Sequence, residues 1–154
     1  MAQNVNNTML SPEAQDEMLK TRKASEIAQV ISNLVKNGTW LKSEVLCWVV
    51  NNFKMFTHPL GVMILNFIKG IFGKKQPHPA VKLLLEYRQK HPNEPWPKDF
   101  ITAVVHSPHF IELYNTLQLE DLLSHEDKCY LIDRKDSLCI LQNCELNFFF
   151  LGQN

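Results

Sequence analysis

The sequence predicts a mainly α protein, a small helical bundle with a short antiparallel β element near its C-terminal end. Two observations carry this prediction. Apolar residues recur at helical spacing through successive segments from residue 11 to about 117, each bounded by Pro, Gly or a hydroxyl-bearing residue. Beyond Asp127 the pattern shortens to runs that alternate with period two.

Each element has its own justification. Ser11-Pro12-Glu13 joins a hydroxyl N-cap, a proline suited to the first turn and an acid favoured there by the helix dipole. Ala24, Ile27, Ala28, Ile31, Leu34 and Val35 continue at helical spacing, so a first helix is expected from 11 to about 36. Asn37-Gly38 ends it, glycine supplying a left-handed position. Thr39 is expected to cap a second helix, with Leu41, Val45, Trp48, Val49, Phe53 and Phe56 on one stripe. Thr57-His58-Pro59 breaks it, and a third helix is expected over 60–72, with Leu60, Met63, Ile64, Phe67, Ile68 and Ile71 on a wide apolar face. Short connections make these three segments antiparallel neighbours in a bundle.

Gly73 to Pro79 reads as a hinge. Further helices are expected over 80–90, after Pro97 with Phe100, Ile101, Val104 and Val105, and after Ser107-Pro108 with Phe110, Leu113, Tyr114 and Leu117, with 119–124 as a possible continuation. The runs 128–133, 138–142 and 145–151 read as short strands, with 134–137 as a hairpin turn. The expected organisation is therefore a flexible stretch 1–10, a helical bundle region 11–75, and a region 76–154 of helices ending in the β piece.

At 154 residues the chain can bury a core without metal or disulfide staples. Its formal net charge is zero, which argues against general nucleic-acid binding. The charge is unevenly placed. Residues 1–77 hold nine Lys/Arg against five Asp/Glu, and residues 78–154 hold seven against eleven. The first residues lack a basic n-region and an apolar core of the secretory type. The four cysteines are irregularly spaced and read as reduced thiols, so a cytoplasmic setting is expected. The apolar run 60–72 is too short to span a bilayer, which takes about 20 residues. Trp40, Trp48 and the lysines around 40–75 would suit a membrane surface.

Residues able to carry chemistry are sparse. His125, Cys129, Cys139 and Cys144 form an H-x3-C-x9-C-x4-C series of zinc-type ligands without a tight C-x2-C knuckle. Period-two alternation places Cys139 among core-facing residues, where cysteine serves as a small hydrophobe. His106, His109 and Glu112 have ligand-type side chains, but Pro108 separates the two histidines and breaks the shared helical face. Cys47 lies between Leu46 and Trp48, surroundings that oppose a reactive thiolate. No phosphate-binding glycine loop, dinucleotide fingerprint or nucleophile elbow is present. No catalytic residue, cofactor or metal is expected. Trp96, between Pro95 and Pro97, is expected to pack over a helix junction.

The stretch Asn37-Gly38-Thr39-Trp40-Leu41-Lys42-Ser43, set between a helix and an apolar helix, resembles the N-terminal part of IcmQ, a component of the Dot/Icm type IVB secretion system. Trp96, Tyr114, Glu120-Asp121 and Tyr130 follow in an order similar to its second half. The resemblance implies a cytoplasmic, secretion-associated adaptor whose N-terminal helices pair with a partner's helices. This chain is shorter, lacks a clear basic linker and shows too few strands for that family's nicotinamide-dinucleotide-binding domain, so no binding residue carries over.

The functional expectation is a non-catalytic protein-interaction module that binds a protein partner through amphipathic helices, with Val45, Trp48, Phe53, Met63 and Phe67 as the partner-binding side chains. Two alternatives stand beside it: a peripheral membrane protein using 40–75, and a small enzyme or zinc protein using the C-terminal Cys/His residues.

Overall fold

The computed structural model describes residues 10–57, 67 and 77–143. Among these are eight α-helices and two short 3-10 turns. They divide into two compact units, Met1–Pro95 and Trp96–Asn154. The division falls at the Pro-rich connector rather than at the expected hinge near 75, so the helix after that hinge belongs to the first unit.

The first unit contains α1 (Pro12–Thr21), α2 (Ala24–Lys36), α3 (Ser43–Asn51), a 3-10 turn (Phe53–Met55) and α4 (Pro79–Lys90). The Ser11 hydroxyl accepts the Ala14 N–H at 3.2 Å, the expected cap. The single helix expected from 11 to 36 is instead two, because Arg22 and Lys23 take extended backbone. The reason is phase. A continuous helix would put Met18 and Ile27 about 180° apart. The break lets both bury in one core, where each is 3% exposed.

Gly38 closes α2 at φ +74. Its N–H donates to Val35 O at 3.1 Å and the Thr39 N–H donates to Leu34 O at 3.0 Å. This is the paired closure that satisfies the last carbonyls of a helix. Thr39 therefore ends α2 rather than capping α3, whose first residue is Ser43. Val45, Leu46 and Val49 of α3 are buried with Ile31 and Leu34 of α2 and with Val81 and Leu84 of α4. α2 packs on α4. At that junction the Lys90 ammonium donates to Val35 O at 2.9 Å and Lys36 O at 2.5 Å, placing a cation on the negative end of α2.

The loop between α2 and α3 is held from two sides. From α1, the fully buried Gln15 donates to Leu10 O at 3.1 Å and Trp40 O at 2.9 Å, and accepts from the Lys42 N–H at 2.9 Å. From α4, the Tyr87 hydroxyl accepts the Leu41 N–H at 3.2 Å. Asp16 adds an ion pair to Lys42 at 2.5 Å, and that hydrogen bond raises the ammonium's pKa.

The second unit contains α5 (Lys98–Val105), α6 (Phe110–Leu117), a 3-10 turn (Glu120–Leu122), α7 (His125–Asp133) and α8 (Ser137–Asn143). Phe100, Val104, Phe110, Leu113, Leu119, Leu131 and Ile140 are fully buried in it. Trp96 is also buried and stacks on Phe100 with ring centroids 4.5 Å apart, the expected packing role. Gln118 takes a left-handed φ of 56 and stops α6, so 119–124 forms a separate turn instead of extending the helix.

The C-terminal β element is not found among the described residues. The expected strands 128–133 and 138–142 lie in α7 and α8, and the expected hairpin turn 134–137 is the break between those helices. The third strand, 145–151, and the helix 60–72 apart from Phe67 lie outside the described residues. The physical reason for the helix is at Ser124. Its hydroxyl accepts the Asp127 N–H at 3.1 Å while the Asp127 carboxylate accepts the Ser124 N–H at 3.0 Å. This reciprocal box satisfies two orphan donors and sets helical backbone before any alternating pattern can act.

Candidate functional site

The second unit presents a cleft of about 450 Å3 where the turn between α5 and α6 meets the turn between α7 and α8. Its walls include His106, Tyr130, Asp133, Arg134, Lys135 and Asp136. The sequence places these residues there through two helix ends. His106 is the C-cap of α5 and Arg134 is the C-cap of α7.

Arg134 is a strut across these turns. One guanidinium nitrogen donates to Val105 O at 2.8 Å and Ser107 O at 3.0 Å. Nε and the other terminal nitrogen grip the Asp136 carboxylate at 2.9 and 2.8 Å. The guanidinium also lies 6.0 Å from the Phe110 ring centroid. Four of the five guanidinium donors are thereby used. The group therefore braces the cleft and is not an open receptor for an anion.

His106 is fixed by two contacts. Its Nδ1 lies 2.8 Å from Thr102 O, and a carbonyl can only accept, so Nδ1 carries the proton. In the neutral ring this leaves Nε2 as a proton acceptor. The imidazole lies against the Tyr130 ring with centroids 3.9 Å apart and planes tilted by 31°, giving the cleft one partly apolar wall.

α7 carries a second constellation. His125 and Cys129, one turn apart on the same face, place Nε2 and Sγ 3.5 Å from each other, and both residues are exposed. Cys139 is exposed on α8, contrary to the core-facing expectation, because its segment is a helix and the alternation does not apply. Cys144 lies outside the described residues. No group of three or more His, Cys, Asp or Glu among the described residues is placed to hold a metal ion. His106 and His109 sit on opposite sides of the Pro108 break, as C-cap of α5 and N-cap of α6.

The residues expected to bind a partner separate in the structure. Val45 and Phe53 are buried, at 0% and 3% exposure, so their side chains serve the core of the first unit rather than a docking surface. Trp48 is half-buried and meets Phe56 edge-on with centroids 5.9 Å apart. Phe67 is 71% exposed, and Met63 lies outside the described residues. Cys47 is half-buried in α3. Of the cleft residues only His106 stands out in the sequence as a candidate; those from Tyr130 to Asp136 do not, because the 128–133 run has the alternation of a strand. The Ser124-x-x-Asp127 spacing was the signal that identifies that run as a helix.

No protein-family model, curated protein or solved structure matches this chain. No helix among the described residues is long and apolar enough to cross a membrane.

Proposed function

We propose that this chain is a non-catalytic protein-interaction module that docks a helical segment of a protein partner through the outer surface of its second unit. One observation carries the reading. Of the seven large apolar side chains exposed among the described residues, four (Leu122, Tyr130, Ile132 and Leu138) fall in the single stretch from the 3-10 turn to α8. Singly exposed apolar residues are ordinary on protein surfaces; what favours a partner is that four of the seven occur close together along one unit, with Ile132 and Leu138 on either side of the break between α7 and α8. Leu138 is 74% exposed and Ile132 45%. Covering such a side chain stabilises a complex by roughly 1 to 2 kcal/mol each. An adaptor role in a secretion apparatus, implied by the IcmQ-like stretch around Trp40, is consistent with such a module.

The test is site-specific photo-crosslinking in the native host, with the crosslinker at 132, at 138, or at Lys20 of the first unit. The expected result is one discrete protein adduct from 132 and 138 and none from Lys20. The adduct should vanish in a chain also carrying Leu122→Asp, with the circular dichroism spectrum unchanged. Equal labelling from all three positions, or no adduct from any, overturns the proposal.

A further inference from the structure

We propose that His125 and Cys129 form a two-ligand chelating site for a thiophilic divalent cation of the zinc class. The inference is independent of the docking surface. Zinc bonds to sulfur at about 2.3 Å and to imidazole nitrogen at about 2.0 Å, so two such ligands on one tetrahedral ion are separated by about 3.5 Å. The Cys129 Sγ to His125 Nε2 distance is 3.5 Å, the edge length of that tetrahedron. The i, i+4 spacing on α7 provides the geometry without any backbone change, since side chains four apart lie over one another on a helix face.

Chemistry and access agree with the distance. Thiolate and imidazole are the ligand types that zinc-class ions prefer over the oxygen donors suited to magnesium or calcium. Both residues are exposed, so an ion reaches them directly and solvent completes the two open positions. No third protein ligand is placed beside them among the described residues, so the pair is a two-point chelate, one ligand short of an open catalytic zinc centre and two short of a closed structural one, and its affinity is correspondingly modest. The reciprocal Ser124–Asp127 box holds the start of α7, which fixes both ligands on one rigid turn. Binding forms a metal–sulfur and a metal–nitrogen bond, takes the six-coordinate aquo ion to a tetrahedral one that keeps two waters and sheds the other four, and releases the Cys129 thiol proton to solvent.

Cobalt(II), added to the reduced full-length chain, is the probe. The expected result is a thiolate-to-metal charge-transfer band that saturates at one ion per chain and is bleached by added zinc. Cys129→Ser removes the band, His125→Ala weakens binding by about tenfold or more, and Cys139→Ser leaves both unchanged. All three altered side chains are exposed, and circular dichroism confirms that each variant is folded. Zinc should also raise the thermal midpoint of the parent chain and not of Cys129→Ser. A band that survives Cys129→Ser, a band lost in Cys139→Ser, or no band at millimolar cobalt overturns the proposal.

Discussion

The Gln15 side-chain amide donates to the Trp40 carbonyl at 2.9 Å, joining α1 to a loop 25 residues later in the chain. With its further bonds to Leu10 O and the Lys42 N–H, this amide ties the start of α1 and the loop before α3 to one side chain. Gln15 itself has no exposed surface, while the groups it serves are part-buried.

Gln15→Ala is therefore expected to destabilise the protein by about 1 to 3 kcal/mol, because two part-buried carbonyls and one N–H lose their partner. Gln15→Glu should be worse at pH 7 than at pH 4, since the ionised carboxylate faces two carbonyl oxygens and only its protonated form can donate. Urea unfolding at both pH values measures this. A cost below about 0.5 kcal/mol for Gln15→Ala would show that the loop holds itself.

Tyr87 gives a pH signature. Burial, partly offset by the Leu41 N–H, raises the phenol above its ordinary 10.0. The folded chain thus keeps the proton more tightly than the unfolded one. That contribution is fully present below pH 10 and is lost as pH rises through the folded value. Tyr87→Phe should cost about 1 to 3 kcal/mol at pH 7 by stranding the Leu41 N–H. It should also lose less stability than the parent between pH 9 and 11, so the gap between the two chains narrows. Parallel unfolding slopes across that range would count against a buried, protonated phenol.

Arg134→Met keeps the length of the side chain and removes the strut. The carbonyls of Val105 and Ser107 lose their donor, and the second unit should weaken by about 2 kcal/mol. Hydrogen exchange should quicken by about tenfold or more in peptides covering the end of α5 and α7, with α2 and α4 unchanged. Arg134→Lys should recover only part of this, because one ammonium cannot serve two carbonyls and a bidentate carboxylate together. Uniform quickening in both units would argue against a local brace.

Much of the helical framework was legible because its signals are local. Ser11-Pro12, Asn37-Gly38 and Pro97 each act within one turn of backbone, and each marks a helix boundary in the structure. The reading of 128–133 and 138–142 as strands gave way to helices where two local signals competed. The alternation after Asp127 suggests strands, whereas Ser124 and Asp127 box a helix start, and the box prevails because it satisfies backbone donors directly.

The candidate sites were less legible. His125 and Cys129 stood in the sequence as part of a longer Cys/His series, and only a helix makes them neighbours at 3.5 Å. The Arg134 strut spans 27 residues to Ser107 and leaves no trace in spacing.

By itself the sequence determined a mainly helical chain, the helix ends marked by Ser11-Pro12, Asn37-Gly38 and Pro97, and the absence of phosphate-loop motifs, since each of these follows from short-range sterics and capping. The tertiary structure alone decided which apolar side chains are core. Val45 and Phe53 face inward while Leu138 faces water, although all three look alike in a hydropathy pattern. Periodicity finds the apolar face of a helix, and burial depends on which other elements arrive to cover it.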